Sequence, residues 1–237
     1  MTPPEKARAE PERAAVTLEE PPRRGLSMRG MLGDAFGSVT DLVTRPMRTV
    51  GSLLKRPGQL IRSYVEGNRA RIAGPGRIAF LGVSLFLVVN SLVATGMAKM
   101  FDPFIWWKGF WPYIAPLLLL PASAVQRLLF RKRRFSFGDT YAFGLYMLGT
   151  IAAFHAVLLT INYFTGLGDV HSSTTEYVRN GIIMLIEAVY VAWAATGFYD
   201  DRKPGVWLRG ALSYGAFVGI SFGILYAVFS YIIGGIF

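Results

Sequence analysis

One carboxylate in this chain stands in the middle of a long apolar run: Glu187, within Asn180–Tyr199. Placing a carboxylate there costs about 2.5 kcal/mol or more if the run crosses a bilayer, so it must face a protein interior or hold a proton. Three other polar residues fall at a matching depth. Glu187 lies about 10 Å along the helix from Asn180, His155 about 13 Å from Phe164, and Asn90 about 12 Å from Ala98. Tyr226 stands as far from Ile233 as Glu187 does from Asn180. These four residues form a candidate intramembrane polar layer. It could act as a proton relay or substrate site, with Glu187 as acceptor and His155 as its partner. The plainer alternative, favoured because depth alone does not show that side chains face each other, is a hydrogen-bonded network that fixes helix packing.

Such a layer needs membrane helices to hold it, and the composition supplies them. Hydrophobic residues make up 52% of the 237 residues and charged ones only 17%, well below the roughly 25% of soluble domains. Five runs are long enough for a bilayer core of about 30 Å at 1.5 Å per residue. They are Ile78–Ala98, Phe110–Phe130, Thr140–Phe164, Asn180–Tyr199 and Trp207–Ile233. The second holds Pro112, Pro116 and Pro121, so it is expected to be kinked or broken. The fold expected is all-α: a polytopic membrane helix bundle of about five transmembrane helices, preceded by interfacial amphipathic helices.

Three segments follow from this. Residues 1–25 are rich in Pro, Glu, Arg and Ala; with few large apolar residues they read as a disordered tail. Residues 26–76 carry two apolar stripes at helical spacing. The first runs through Leu32, Phe36, Val39 and Val43 to Met47, Val50 and Leu54. Past the break at Arg56-Pro57-Gly58, the second holds Leu60, Ile61, Tyr64 and Val65. With Arg45, Arg48, Lys55, Arg56, Arg62, Arg69 and Arg71 on the polar sides, these suit a cytoplasmic membrane interface, or the underside of the bundle. Residues 77–237 are the transmembrane bundle. The first long apolar run starts too late for a cleavable signal, so it is expected to insert as a signal-anchor and stay.

The charges orient the bundle. Of 25 Lys and Arg, only Lys99, Lys108 and Arg179 fall in the loops after the first and third runs; the other 22 lie on the opposite side. The positive-inside rule then puts the N-terminus in the cytoplasm and Phe237 outside in a multi-pass arrangement. Trp106, Trp107, Trp111 and Tyr113 fit an outer aromatic belt, and Trp207 an inner one. The net charge of +10 sits beside apolar spans, so it points to anionic lipid head groups rather than nucleic acid. Arg131, Lys132, Arg133 and Arg134 are the foremost head-group candidates, though a topology determinant is the simpler role. Asp200-Asp201-Arg202-Lys203 reads as a solvated turn.

Every fourth residue from Ala211 through Gly215, Gly219 and Gly223 to Ala227 is small. Such a stripe lets another backbone come close. The partner is either another helix of the chain or, less favoured, a second copy or a membrane partner subunit. Gly219-Ile220-Ser221-Phe222-Gly223 matches a hydrolase pattern, but that motif needs a strand before it and a helix after it. The chain has no cysteine and two histidines. Disulfides, thiol catalysis and Cys-ligated metals are thereby excluded, and no metal or cofactor site is expected.

One stretch has a more specific pattern: RPMRTVGSLLKRPGQLIRSYVEGNRARIAGPGRIAFLGVSLF. An Arg-Thr pair is followed by RPG, Tyr, Gly-x-Arg-Ala-Arg, Pro and then a span. This resembles an uncharacterised family of bacterial membrane proteins, domain of unknown function three-six-six-seven. LLFRKRRFSFGDTYAFGLYM resembles that family's basic loop, and VYVAWAATGFYDDRKPGVWLRGALSY its last loop. The likeness spans roughly residues 40 to 225. Where the family pattern has Glu-His and a later His, this chain has Asp139-Thr140 and Tyr146. The cysteine pair with which members open, and its zinc-binding capacity, has no counterpart here. The resemblance implies a topology and a location in a bacterial inner (plasma) membrane, and no activity.

Three classes of function fit. The first, which is favoured, is an accessory or scaffold component of the membrane. The alternative is a small transporter or channel using the Glu187–His155 layer. A lipid-acting enzyme ranks last, for want of paired polar groups at the interface. An internal cavity reaching Glu187 would favour transport; a closed bundle with a flat glycine face would favour the scaffold.

Overall fold

The computed structural model describes residues 41–69, 72–94, 103–165, 173–201 and 203–234. The expected tail at 1–25, the stripe residues Leu32, Phe36 and Val39, and Arg71 lie outside them. So do the side chains of Trp106, Trp107, Trp111 and Tyr113. Among the described residues every regular element is a helix: α1 Asp41–Lys55, α2 Pro57–Val65, α3 Pro75–Ala94, α4 Pro103–Leu129, α5 Phe137–Thr165, α6 Ser173–Tyr199 and α7 Pro204–Gly234.

Four helices are long and apolar enough to cross a membrane: α3, α5, α6 and α7. Their outward faces carry Phe80, Val88, Leu92, Val157, Phe164, Leu185, Val228 and Tyr231, all exposed. Large apolar side chains in such numbers on the outside belong to a protein whose solvent is lipid. This is a membrane-embedded helical bundle. The remaining expected span, α4, is one continuous helix of 27 residues, with its described apolar stretch at Ile114–Leu129. Its three prolines do not break it. Proline removes an amide donor and frees the carbonyl four residues earlier, which neighbours can satisfy; elsewhere on this segment Tyr141 ties α5 to α4 by donating its hydroxyl to the Pro116 carbonyl at 3.1 Å.

α5 is the axis of the bundle. Its first turns, Asp139 to Gly149, are buried without interruption. Its start is fixed by a reciprocal cap: the Ser136 amide donates to Asp139 Oδ2 at 2.7 Å, and the Asp139 amide donates to Ser136 Oγ at 3.2 Å. α3 crosses it with the backbones nearly touching at Gly82 and Gly149. α4 packs on α5 and α7, and α6 pairs with α7. At Gly210 an added Cβ would meet the Ala192 Cα at 2.8 Å.

α1 and α2 are clamped to the bundle beside the basic loops. The face of α1 that meets protein is Thr49 and Leu53, both buried; the stripe residues Val50 and Leu54 point away, at 39% and 61% exposure. The helix therefore has two apolar faces, one for the bundle and one outward. Tyr190 donates to the Leu53 carbonyl at 3.1 Å, and the Ala73 amide to Thr49 Oγ1 at 3.0 Å. Tyr146 donates to the Ala73 carbonyl at 2.5 Å. α2 lies so close on α6 that a Cβ at Gly58 would sit 1.9 Å from the Ala194 carbonyl oxygen.

The Asp200–Asp201 turn is more than a solvated one. Asp200 pairs with Arg62 of α2 at 2.7 Å, and Asp201 with Arg133 of the α4–α5 loop. Asp200 has φ +50°, a left-handed conformation that Asp tolerates better than most residues. The Lys203 amide above all, and then Arg133, hold the Asp201 carboxyl below its usual range. Its contribution to stability is therefore complete above the ordinary carboxylate range and is lost as pH falls through the lowered value. Asp201→Asn is expected to flatten the acid limb of the stability profile below the ordinary carboxylate range. Chemical unfolding across that range checks it.

Candidate functional site

Glu187 is 5% exposed and occupies the middle of α6. Its partners come from the helices on either side. Tyr214 of α7 donates its hydroxyl to Glu187 Oε2. His155 Nε2 of α5 lies 3.2 Å from Oε1, but without the alignment of a hydrogen bond, so Oε1 keeps an unused acceptor direction. His155 Nδ1 lies 3.2 Å from the Ile151 carbonyl. Since a carbonyl can only accept, Nδ1 carries the hydrogen, and Nε2 of the neutral ring is an acceptor facing Oε1.

These groups open into a cavity of about 550 Å3 bounded by α3, α4, α5, α6 and α7. Such a volume suits a small organic ligand. Asn90 of α3 lines it, as do Ser123 and Gln126 of α4, Asn162 of α5, Arg179 of α6 and Ser213 and Ser221 of α7. Ser123 Oγ and Gln126 Nε2 are buried with no hydrogen-bond partner. Aromatic surface from Phe86, Phe143 and Phe217 completes the wall, with Phe86 edge-on to the His155 ring at 6.2 Å. No group of three metal-ligating side chains occurs among the described residues.

The structure thus brings together Glu187, His155 and Asn90. Tyr226 is not with them: it is 76% exposed on the outside of α7. The tyrosine at the site is Tyr214, two helical hairpin arms meeting across one turn. Glu187 and Tyr214 stand almost equally far from the Asp200–Asp201 turn, as do Ala192 and Gly210. That symmetry is the sequence signal that would have found Tyr214. Ser123 and Gln126 carried no such signal.

Among the described residues nothing packs on the centre of the small-residue stripe of α7. A Cβ at Gly215, Gly219 or Gly223 would meet nothing within 4 Å. Ser221 points the other way and bonds the Phe217 carbonyl of its own helix at 2.7 Å. In the basic loop, Arg131, Lys132 and Arg134 are exposed, while Arg133 is turned onto Asp201.

Residues 38–88 match the model of a family described as Protein of unknown function (DUF3667). The match covers α1, α2 and most of α3, the part of the chain clamped at Leu53, Gly58 and Ala73. Comparison with curated proteins and with solved structures found no match.

Proposed function

We propose that this membrane-embedded chain, which carries the DUF3667 segment at its amino-terminal side, is a small carrier whose binding chamber is the cavity around Glu187. The observation that carries the reading is a buried carboxylate with a spare acceptor direction, 3.2 Å from a histidine, both lining one half-open cavity among the helices. A cleft of this size leaves the pair within reach of a ligand, which a network needed only for packing does not require. Intramembrane carboxylates that line cavities mark substrate or proton paths elsewhere. The charge tally supports an orientation with the N-terminus cytoplasmic, Phe237 outside, and Arg131, Lys132 and Arg134 at anionic head groups; the family resemblance is what favours a bacterial inner membrane.

The absence of cysteine makes the test direct. Single replacements Asn162→Cys and Ser123→Cys, in the cavity, are compared with Leu185→Cys on the lipid-facing side of α6. A membrane-impermeant maleimide is applied to each side of sealed vesicles. The cavity cysteines are expected to react and Leu185→Cys to stay unlabelled. Silence at both cavity positions, with an exposed Lys203→Cys reacting normally, would end the carrier reading.

A second reading, an accessory or scaffold component, is favoured by the open glycine face of α7. Small residues exposed to lipid leave room for a second helix, from another copy or a partner subunit. Gly219→Leu should then lower the mass of the detergent-extracted complex. An unchanged mass removes this reading.

A further inference from the structure

The geometry points to a specific ligand chemistry for the chamber: a primary or secondary ammonium group that displaces the single proton held between Glu187 and His155. The inference rests on the carrier reading above.

Two facing acceptors cannot stay as they are. With Nδ1 committed to the Ile151 carbonyl, Oε1 and Nε2 stand 3.2 Å apart and need a donor between them. In the empty site the donor is one proton, on the carboxyl or on the imidazole. Either way the pair is neutral overall, as a low-dielectric interior demands. An ammonium ligand fits the same place. Its N–H groups reach Oε1 and Nε2, and its charge balances the carboxylate once the proton has left. The exchange is one for one: R–NH3⁺ binds, Glu187 becomes the carboxylate, and one H⁺ is released. The site is neutral before and after.

The surroundings agree. Tyr214 already donates to Oε2, which leaves Oε1 for the ligand. Phe86, Phe143 and Phe217 line the same cavity, and aromatic rings are suited to lie beside a cation. Among the described residues no other carboxylate lines the cavity, and the charged or titratable groups that do are His155 of α5, Tyr214 of α7 and Arg179 of α6. Arg179 lies about 12 Å along α6 from Glu187. It disfavours a second positive charge at that end, so the ligand carries one charge at the Glu187 level. Ser123 Oγ remains for a hydrogen-bonding group on the ligand body.

The test is calorimetric binding to the full chain in mild detergent, in buffers of different ionisation enthalpy. The probes are benzylammonium, hexylammonium and 1,6-diaminohexane, with benzyl alcohol, benzoate and benzyltrimethylammonium as controls. Benzylammonium and hexylammonium are expected to bind with release of about one proton. Affinity should rise about tenfold per pH unit while the pair is protonated. The diamine should bind no tighter than hexylammonium, and the quaternary compound, having no N–H, at least tenfold weaker than benzylammonium. Glu187→Gln should abolish the proton release and weaken binding at least tenfold. The proton release of the unaltered chain keeps the test valid should that variant fold poorly.

Binding of benzyl alcohol or benzoate as tight as that of benzylammonium, without proton release, overturns the ammonium assignment; if it also protects an Asn162→Cys label, the chamber stands. No binding by any ammonium compound overturns the assignment too. Only unreactive cavity cysteines in addition would take the chamber with it.

Discussion

Gly149→Ala is expected to cost about 2–4 kcal/mol, and Gly149→Leu to prevent the bundle from assembling in its present form. A Cβ at Gly149 would lie 2.3 Å from the Ile78 carbonyl oxygen and 2.8 Å from the Ala79 Cα. Across the same crossing, a Cβ at Gly82 would lie 1.9 Å from the Gly149 oxygen. These obstacles are all backbone, so no side chain can swing aside. The two helices must part by about an ångström, and close-packed interiors lose their dispersion contacts over such a gap. In lipid no hydrophobic force between helices offsets that loss. Gly219→Ala is the control: with nothing within 4 Å, it should stay within about 0.5 kcal/mol of the parent. Gly82→Ala with Gly149→Ala should cost less than the two apart, since the first already separates the helices. Denaturant titration in mild detergent measures all four. Equal effects at Gly149 and Gly219 would mean that α3 and α5 do not cross there.

That contrast also shows what spacing in a sequence conveys. The stripe of α7 is legible because small residues recur every fourth position, but spacing describes one face only, not what approaches it. The glycines in backbone contact, Gly58, Gly82, Gly149 and Gly210, have no common period, because each serves a separate crossing. The helices themselves were legible, since apolar length is dictated by the bilayer. The path of α4 through its prolines was not, because whether a proline breaks a helix depends on what packs against it, which spacing does not give. In the polar layer, depth found His155 and Asn90 for Glu187. It failed on α7, whose 31 residues exceed the roughly 20 that a span requires, so counting back from its end put Tyr226 where Tyr214 stands. In α1 the stripe of Val50 and Leu54 was readable, yet the face that grips the bundle is Thr49 and Leu53. Two apolar faces on one short helix cannot be ranked without knowing what lies beside it.

Whether the Glu187 cluster exists for chemistry or for packing is decided by a double replacement. Glu187→Met together with Tyr214→Phe is expected to leave the bundle as stable as the parent, or more stable, while removing the site. Each single change strands a buried polar group. Glu187→Met leaves the Tyr214 hydroxyl without its acceptor, and Tyr214→Phe leaves Glu187 Oε2 without its donor. A stranded group costs about 1–3 kcal/mol. The double change strands neither, and replacing buried polar or charged partners by apolar groups of similar volume is often neutral or stabilising by about 1–4 kcal/mol. His155 is not stranded, because its side chain is 36% exposed and keeps its bond to the Ile151 carbonyl. The four proteins form a cycle whose coupling term is read from thermal unfolding in detergent. A double variant that holds its melting temperature while losing ligand-linked proton release marks a cluster retained at a cost to stability, as functional sites are. A double variant more than about 2 kcal/mol below the parent would make the cluster a packing device, because the apolar pair would then fill the space between α6 and α7 less well than the polar pair does.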